Sequence, residues 1–275
     1  MKKLFTIITM LFIFLYGFKV NAQTNNYEVH FIDTGQSDCI LIKGKDKNYL
    51  IDTGLPRTYD KVLSYLNSQG ISKLNKIIIT HYHDDHYGGL EKLIQDKAVE
   101  KIVLPAHQPK YRDFLFSYLK AKPIEVEYAS ESTSIKDIGI DLKALIYNKE
   151  DRCIENNNSL VLLGTIDNIK YAFMADVEKE REKELLKNKE LLGCDVVKVP
   201  HHALDTSSTI DLINILKPRI ALVSCDGEES PNDKIVEKYL SNGAAVFRTD
   251  THGNIVIKAN VDTKEIEITC NKMIK

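Results

Sequence analysis

The apolar run Ile77-Ile78-Ile79 leads directly into Thr80-His81-Tyr82-His83-Asp84-Asp85-His86-Tyr87-Gly88-Gly89, and this junction constrains the chain more than any other feature. Three of the eight histidines fall inside it. On an extended or turning backbone, His81 and His83 point the same way and can share one metal ion. Asp85 and His86, at the start of a following helix, can serve a second. A buried-type strand that ends in so dense a mixture of nitrogen and oxygen donors suits a two-metal site better than a polar turn that happens to be rich in histidine.

The flanking pattern says what carries this junction. Tyr27 to Asp33, Asp38 to Lys43 and Lys47 to Asp52 read as consecutive strands, followed by a helix over Tyr59 to Gln69 that stops at Gly70. After the strand Lys76 to Ile79, helices at Gly88 to Gln95 and Tyr111 to Lys120 alternate with strands at Lys101 to Leu104 and Ile124 to Tyr128. Strands return at Ile138 to Ile146, Ser159 to Gly164 and Lys170 to Met174. A helix is expected over Glu178 to Leu192, its many charges forming a solvated face. Beyond it, strands at Asp195 to Val199 and Arg219 to Ser224 alternate with helices at Ser208 to Leu216 and Asp233 to Leu240. Strands at Ala245 to Arg248, Asn254 to Lys258 and Ile266 to Thr269 close the pattern. Strand meanders with interspersed helices imply a layered α/β fold, its sheets packed face to face and its helices outside, with the chemistry on loops at strand ends. At 275 residues and 43% hydrophobic content, one large domain accounts for the chain.

Lys2 and Lys3 precede an apolar stretch from Leu4 to Phe18, and Val20-Asn21-Ala22 places small residues at a cleavage position. Residues 1–22 therefore read as a secretory signal and 23–275 as the mature domain, exported to the periplasm or beyond the cell. The apolar stretch is shorter than the roughly 20 residues that cross a bilayer, and no membrane span is expected after the signal is removed. The leader carries three lysines and no acid, so its loss takes the formal charge from -2 to -5. That balance carries no strong basic signature for nucleic acid. The five cysteines lack the C-x-x-C spacing of a zinc clip and read as small buried hydrophobes, in a compartment that would permit disulfides.

The His81, His83, Asp85, His86 pattern resembles the H-x-H-x-D-H signature of the metallo-beta-lactamase superfamily. The resemblance extends through Asp33-Thr34-Gly35-Gln36-Ser37-Asp38, Ile51-Asp52-Thr53-Gly54, Asn156-Asn157-Asn158-Ser159, Ala175-Asp176, Val199-Pro200-His201-His202 and Arg248-Thr249-Asp250. These look like the successive motifs of the ComEC-like branch, over about Val29 to Ile257. It implies a four-layer αββα sandwich and two divalent ions, zinc or manganese. It also implies that Asp176 bridges the metals, that one of His201 and His202 completes the second site while its neighbour faces the substrate, and that Asp52 orients a ligand histidine from behind. The chain departs from the family where a third histidine for the first metal belongs. His107, the only histidine in that interval, lies too close to the signature, and Asn156 to Asn158 stand at the expected place. Ala203-Leu204-Asp205 stands where the family has Gly-Ser, Ser37 replaces a usual glycine, and His252 reads as a turn residue before Gly253.

The function implied is hydrolysis by a metal-bridging hydroxide oriented by Asp85, with the free histidine of the 201/202 pair stabilising charge or protonating the leaving group. The expected substrate is a phosphodiester, in nucleic acid or a phosphorylated envelope component. A β-lactam or another ester or amide, and a metal-dependent binding module without turnover, are the competing readings.

Overall fold

The computed structural model describes residues 27–272 apart from 108, 148, 261, 262 and 264. The expected leader, residues 1–22, lies outside the described residues. Fifteen long strands form two sheets. The first runs, edge to edge, through Ile266–Cys270, Ile255–Ala259, Glu28–Phe31, Ile40–Lys43, Asn48–Ile51, Lys76–Ile78, Lys101–Leu104 and Glu125–Tyr128. The second runs through Ala245–Arg248, Ile220–Val223, Val196–Lys198, Ile169–Phe173, Val161–Ile166, Ile140–Leu145 and Ser134–Asp137. Each sheet is antiparallel on one side and parallel on the other. Asn48–Ile51, Lys76–Ile78 and Lys101–Leu104 pair in parallel in the first. Ile169–Phe173, Val196–Lys198 and Ile220–Val223 do so in the second.

The side-chain period of two sorts the core into three apolar spaces, which is what four layers require. Ile40 and Ile42 face the second sheet, and Phe31, Ile78, Tyr171, Phe173 and Val196 pack in the same intersheet space. Leu41, Leu50 and Ile77 face outward, onto Val62 and Leu66 of the helix Tyr59–Ser68 and Leu90 and Leu93 of the helix Leu90–Asp96. On the far side, Ala172 and Val197 meet Leu212 and Ile213 of the helix Ile210–Leu216 and Ile235 and Tyr239 of the helix Asp233–Ser241. The αββα sandwich implied by the motifs is the observed fold.

Two expectations are corrected. The helix expected over 178–192 runs only from Lys179 to Leu185, and a 3-10 turn at Lys189–Leu191 follows, where the Asn188 side chain accepts the Glu190 N–H. Its charges are not all solvated either: Arg181 and Glu182 are buried. Glu182 accepts from the backbone N–H of Ser208 and Thr209, and Arg181 donates to the carbonyls of Asn157 and Lys149. Tertiary partners thus claim a face that local charge spacing assigns to water. The sequence reading also passes over the edge strand Ser134–Asp137, which has only one buried apolar residue, Ile135. All five cysteines are free, three of them buried as read. Among the described residues no helix is long and apolar enough to cross a membrane.

Candidate metal centre

Every implied site residue arrives from the end of a strand. Asp52 follows Asn48–Ile51, the histidine cluster follows Lys76–Ile78, Asp176 follows Ile169–Phe173, and the histidine pair follows Val196–Lys198. The parallel pairing brings these ends to one rim, where the two sheets face each other. The loops interlock through backbone bonds: the Asp38 N–H donates to Asp85 at 3.1 Å, that of Thr53 to His86 at 2.6 Å, and that of Gly54 to Asp38 at 2.9 Å. Glycine permits this approach, since a side chain at Gly89 would collide with the Thr53 carbonyl oxygen.

Asp85, His86, Asp176 and His202 each present one donor atom, all within 4.8 Å of one another. His86 Nε2 lies 3.1 Å and His202 Nε2 3.4 Å from Asp176 Oδ2, while Asp85 Oδ2 is 3.6 Å from His86 Nε2 and 3.3 Å from His202 Nε2. The opposite nitrogens are fixed from behind. His86 Nδ1 bonds Asp52 Oδ2 at 2.8 Å, and His202 Nδ1 bonds the Ser224 carbonyl at 2.9 Å. Because a carbonyl can only accept, His202 carries a proton on Nδ1, and its Nε2 lone pair is turned toward the carboxylates once the ring is neutral. Both Nε2 atoms and Asp176 Oδ1 are buried without a hydrogen-bond partner. Protonated, the same nitrogens pair with Asp176 and Asp85; neutral, they leave a face of lone pairs and carboxylates suited to a cation. Mixed imidazole and carboxylate donors suit zinc, manganese or iron.

Asp52 stands where the motif implied, behind a histidine. It is fully buried, adopts a left-handed backbone (φ 59°), and accepts from the Thr80 N–H at 2.8 Å and the Thr80 hydroxyl at 2.7 Å as well as facing His86. Burial pushes its carboxyl pKa up against the opposing pull of His86. Asp52→Asn removes the charge that orients and enriches the His86 ring. It is expected to weaken metal affinity about 10–100-fold, measured by competition with a chelating dye. Unchanged affinity would mean that His86 is not a ligand.

His81 and His83 sit beside this group. His81 Nε2 is 3.1 Å from His83 Nδ1, and the His81 and His86 ring centroids are 4.1 Å apart. Burial, aided by the charge on His86, holds the pKa of His81 well below its ordinary value. His107 is tied to the Tyr147 carbonyl at 2.8 Å, and no third histidine joins the pair among the described residues. Of the three asparagines, Asn157 and Asn158 turn to Asp151, and Asn156 alone turns to the site. The Asn156 amide donates to Glu178 at 2.9 Å and reaches His201 Nε2 at 3.2 Å, while its carbonyl oxygen is buried without a partner.

The structure separates the histidine pair. His201, His202 and Ala203 all have left-handed backbones, with φ of 46°, 52° and 62°. For residues other than glycine this costs roughly 1–2 kcal/mol each. The turn sends the buried His202 ring into the donor face and leaves His201 at its mouth. There His201 Nδ1 meets the Thr206 hydroxyl at 2.7 Å and Nε2 lies 4.0 Å from Asp176. His252 keeps to its own turn, with Nδ1 against the Arg248 backbone.

Lys198 and Asp38 were not assigned roles from the sequence. Lys198 shares the inward side of its strand with Val196, is completely buried, and places Nζ 2.5 Å from Asp38 Oδ2, 3.6 Å from Asp176 Oδ1 and 3.3 Å from the Ala175 carbonyl. A lysine inside Val196-Val197-Lys198-Val199 was the available signal, since a charge in an apolar strand needs a buried partner.

The family model described as Metallo-beta-lactamase superfamily matches residues 32–228. Among curated proteins, the chain is 27% identical to ComE operon protein 3 of Bacillus subtilis over 83% of its own length and 32% of that protein. It is 24% identical to Competence protein ComA of Neisseria gonorrhoeae, with the same coverage of 83% and 32%. The chain spans about a third of the length of these relatives. Among solved structures, the metallo-beta-lactamase fold protein YhfI from Bacillus subtilis superposes with a TM-score of 0.59 at 12% identity, over 85% of this chain and all of that one. The chain belongs to the metallo-beta-lactamase superfamily, and within it resembles the ComEC-like competence proteins.

Proposed function

We propose that this chain is an exported, metal-dependent phosphodiesterase. The observation that carries the reading is the donor face of Asp85, His86, Asp176 and His202, with two imidazole nitrogens fixed from behind and turned toward the carboxylates in front. Divalent zinc or manganese bound there and beside His81 and His83 would lower the pKa of water and polarise a phosphoryl oxygen. The protein's part is to hold and move protons around that chemistry. Asp85, whose carboxyl pKa is lowered by His86 and His202 against its burial, remains an ionised acceptor that can orient an attacking water. Burial lowers the pKa of His201, so at neutral pH its ring is uncharged. The Asn156 amide donates toward Nε2, which leaves the ring proton on Nδ1 facing Thr206. Once a substrate or water displaces the Asn156 amide, His201 Nε2 can accept a proton at the mouth of the site, and its protonated form can serve a leaving oxygen. Export is supported by the leader-like residues 1–22, and the phosphodiester by the likeness to competence proteins.

Purified protein loaded with zinc or manganese is expected to hydrolyse bis-p-nitrophenyl phosphate and to spare nitrocefin. Turnover of nitrocefin alone would sink the phosphodiesterase reading, and inertness toward both in fully loaded protein would favour a binding module.

A further inference from the structure

Two groups of donors meet at His86, one on each of its nitrogens. On the Nε2 side lie Asp85, Asp176 and His202; on the Nδ1 side lie Asp38 and Asp52, two carboxylates gathered around a ring nitrogen that is itself bonded to Asp52. The second group is fully buried, and Asp38 Oδ1 has no hydrogen-bond partner. Two buried carboxylates this close are costly unless a cation offsets them. The chain supplies one: the Lys198 ammonium reaches Asp38 at 2.5 Å and stands 3.6 Å from Asp176. It enters from the opposite sheet, so the pair crosses the intersheet space. Neither Lys198 nor Asp38 is exposed enough for solvent to screen the contact.

We propose that Lys198 is the resident cation against Asp38, behind Asp176, and that by standing there the ammonium confines divalent ions to the Asp85–His86–Asp176–His202 face. The inference rests on the reading of that face as a metal centre. A lysine in this place does two things that a metal ion would otherwise do. It compensates Asp38 without demanding a coordination shell, and it reduces the negative charge felt at Asp176 from behind, so that Asp176 is shared between a fixed charge and an exchangeable one.

The test counts ions. The full chain and its Lys198→Met, Lys198→Arg and Asp38→Asn/Lys198→Met variants are titrated with manganese or zinc by calorimetry. Bound metal is measured after dialysis, and thermal unfolding is followed with and without chelator. Lys198→Met is expected to bind one more divalent ion per chain than the parent, and to melt far lower in chelator with recovery on adding metal. Lys198→Arg and the double variant should keep the parental stoichiometry, the first because a cation remains and the second because the carboxylate it neutralised has gone. A Lys198→Met chain that folds with the parental stoichiometry overturns the proposal. So does one that stays unfolded at saturating metal, because a pocket suited to a cation would be rescued by one. If the parent itself binds no divalent ion, the metal-centre reading falls instead, a result distinguishable from the absence of any gain in the variant.

Discussion

His202→Ala is expected to lower metal affinity by more than about 100-fold, beyond the range seen when only a supporting partner is removed, and to abolish metal-dependent turnover. His201→Ala, one residue away, is expected to retain metal and lose turnover by about 10²–10⁴-fold, as for loss of a proton-transfer group. The contrast follows from the turn. His202 is buried, with Nδ1 on the Ser224 carbonyl and Nε2 among Asp85 and Asp176, whereas His201 lies between Thr206 and Asn156 at the mouth. Metal content by elemental analysis, measured alongside kinetics, separates the two roles. Metal lost from His201→Ala and kept by His202→Ala would reverse the assignment.

Metal uptake is expected to expel protons near neutral pH and to tighten as the pH rises. Burial opposes a charge on His202, but Asp176 and Asp85 override it and raise its pKa to about 9. In the metal-free protein His202 is therefore protonated at pH 7. A metal ion must displace that proton, so apparent affinity should climb about tenfold per pH unit for each proton displaced, up to about pH 9. Burial likewise opposes a charge on His86, but Asp176, Asp52 and Asp85 hold its pKa well above the ordinary value, so it contributes in the same direction. Stability of the stripped protein follows the opposite course. A folded-state pKa raised from 6.5 to about 9 gives a contribution fully present below 6.5 and lost as the pH passes through 9. Calorimetry in buffers of differing ionisation enthalpy counts the protons; none released at pH 7 would contradict the placement of both Nε2 atoms at the metal.

How far the sequence discloses this centre depends on the range over which each residue is specified. His81, His83, Asp85 and His86 lie in one short segment, and strand geometry alone brings them together. Asp176 and the histidine pair are far away in the chain and became legible through the resemblance, which supplied the pairing of strand ends. The separation of His201 from His202 was not legible, because it depends on three successive left-handed backbones that no propensity favours. Lys198 was overlooked among many lysines: its place inside the apolar run Val196 to Val199 marks it as buried, but only the packing of the two sheets supplies its partner, Asp38. The overlong helix at 178–192 has the converse origin. Its charge spacing is helical throughout, but Glu182 is claimed from far along the chain by Ser208 and Thr209, and Asn188 caps a local turn by accepting the Glu190 N–H.

The division of the donors between two sheets ties the centre to the docking of those sheets. The first sheet's loops carry His81, His83, Asp85 and His86, and the second sheet's loops carry Asp176 and His202. A folding intermediate with both sheets formed but not yet docked would possess all these side chains and no centre. The Asp38–Lys198 bond joins a loop of the first sheet to a strand of the second, so it too exists only when the sheets have met. An ion that needs donors from both sheets would bind only the docked fold.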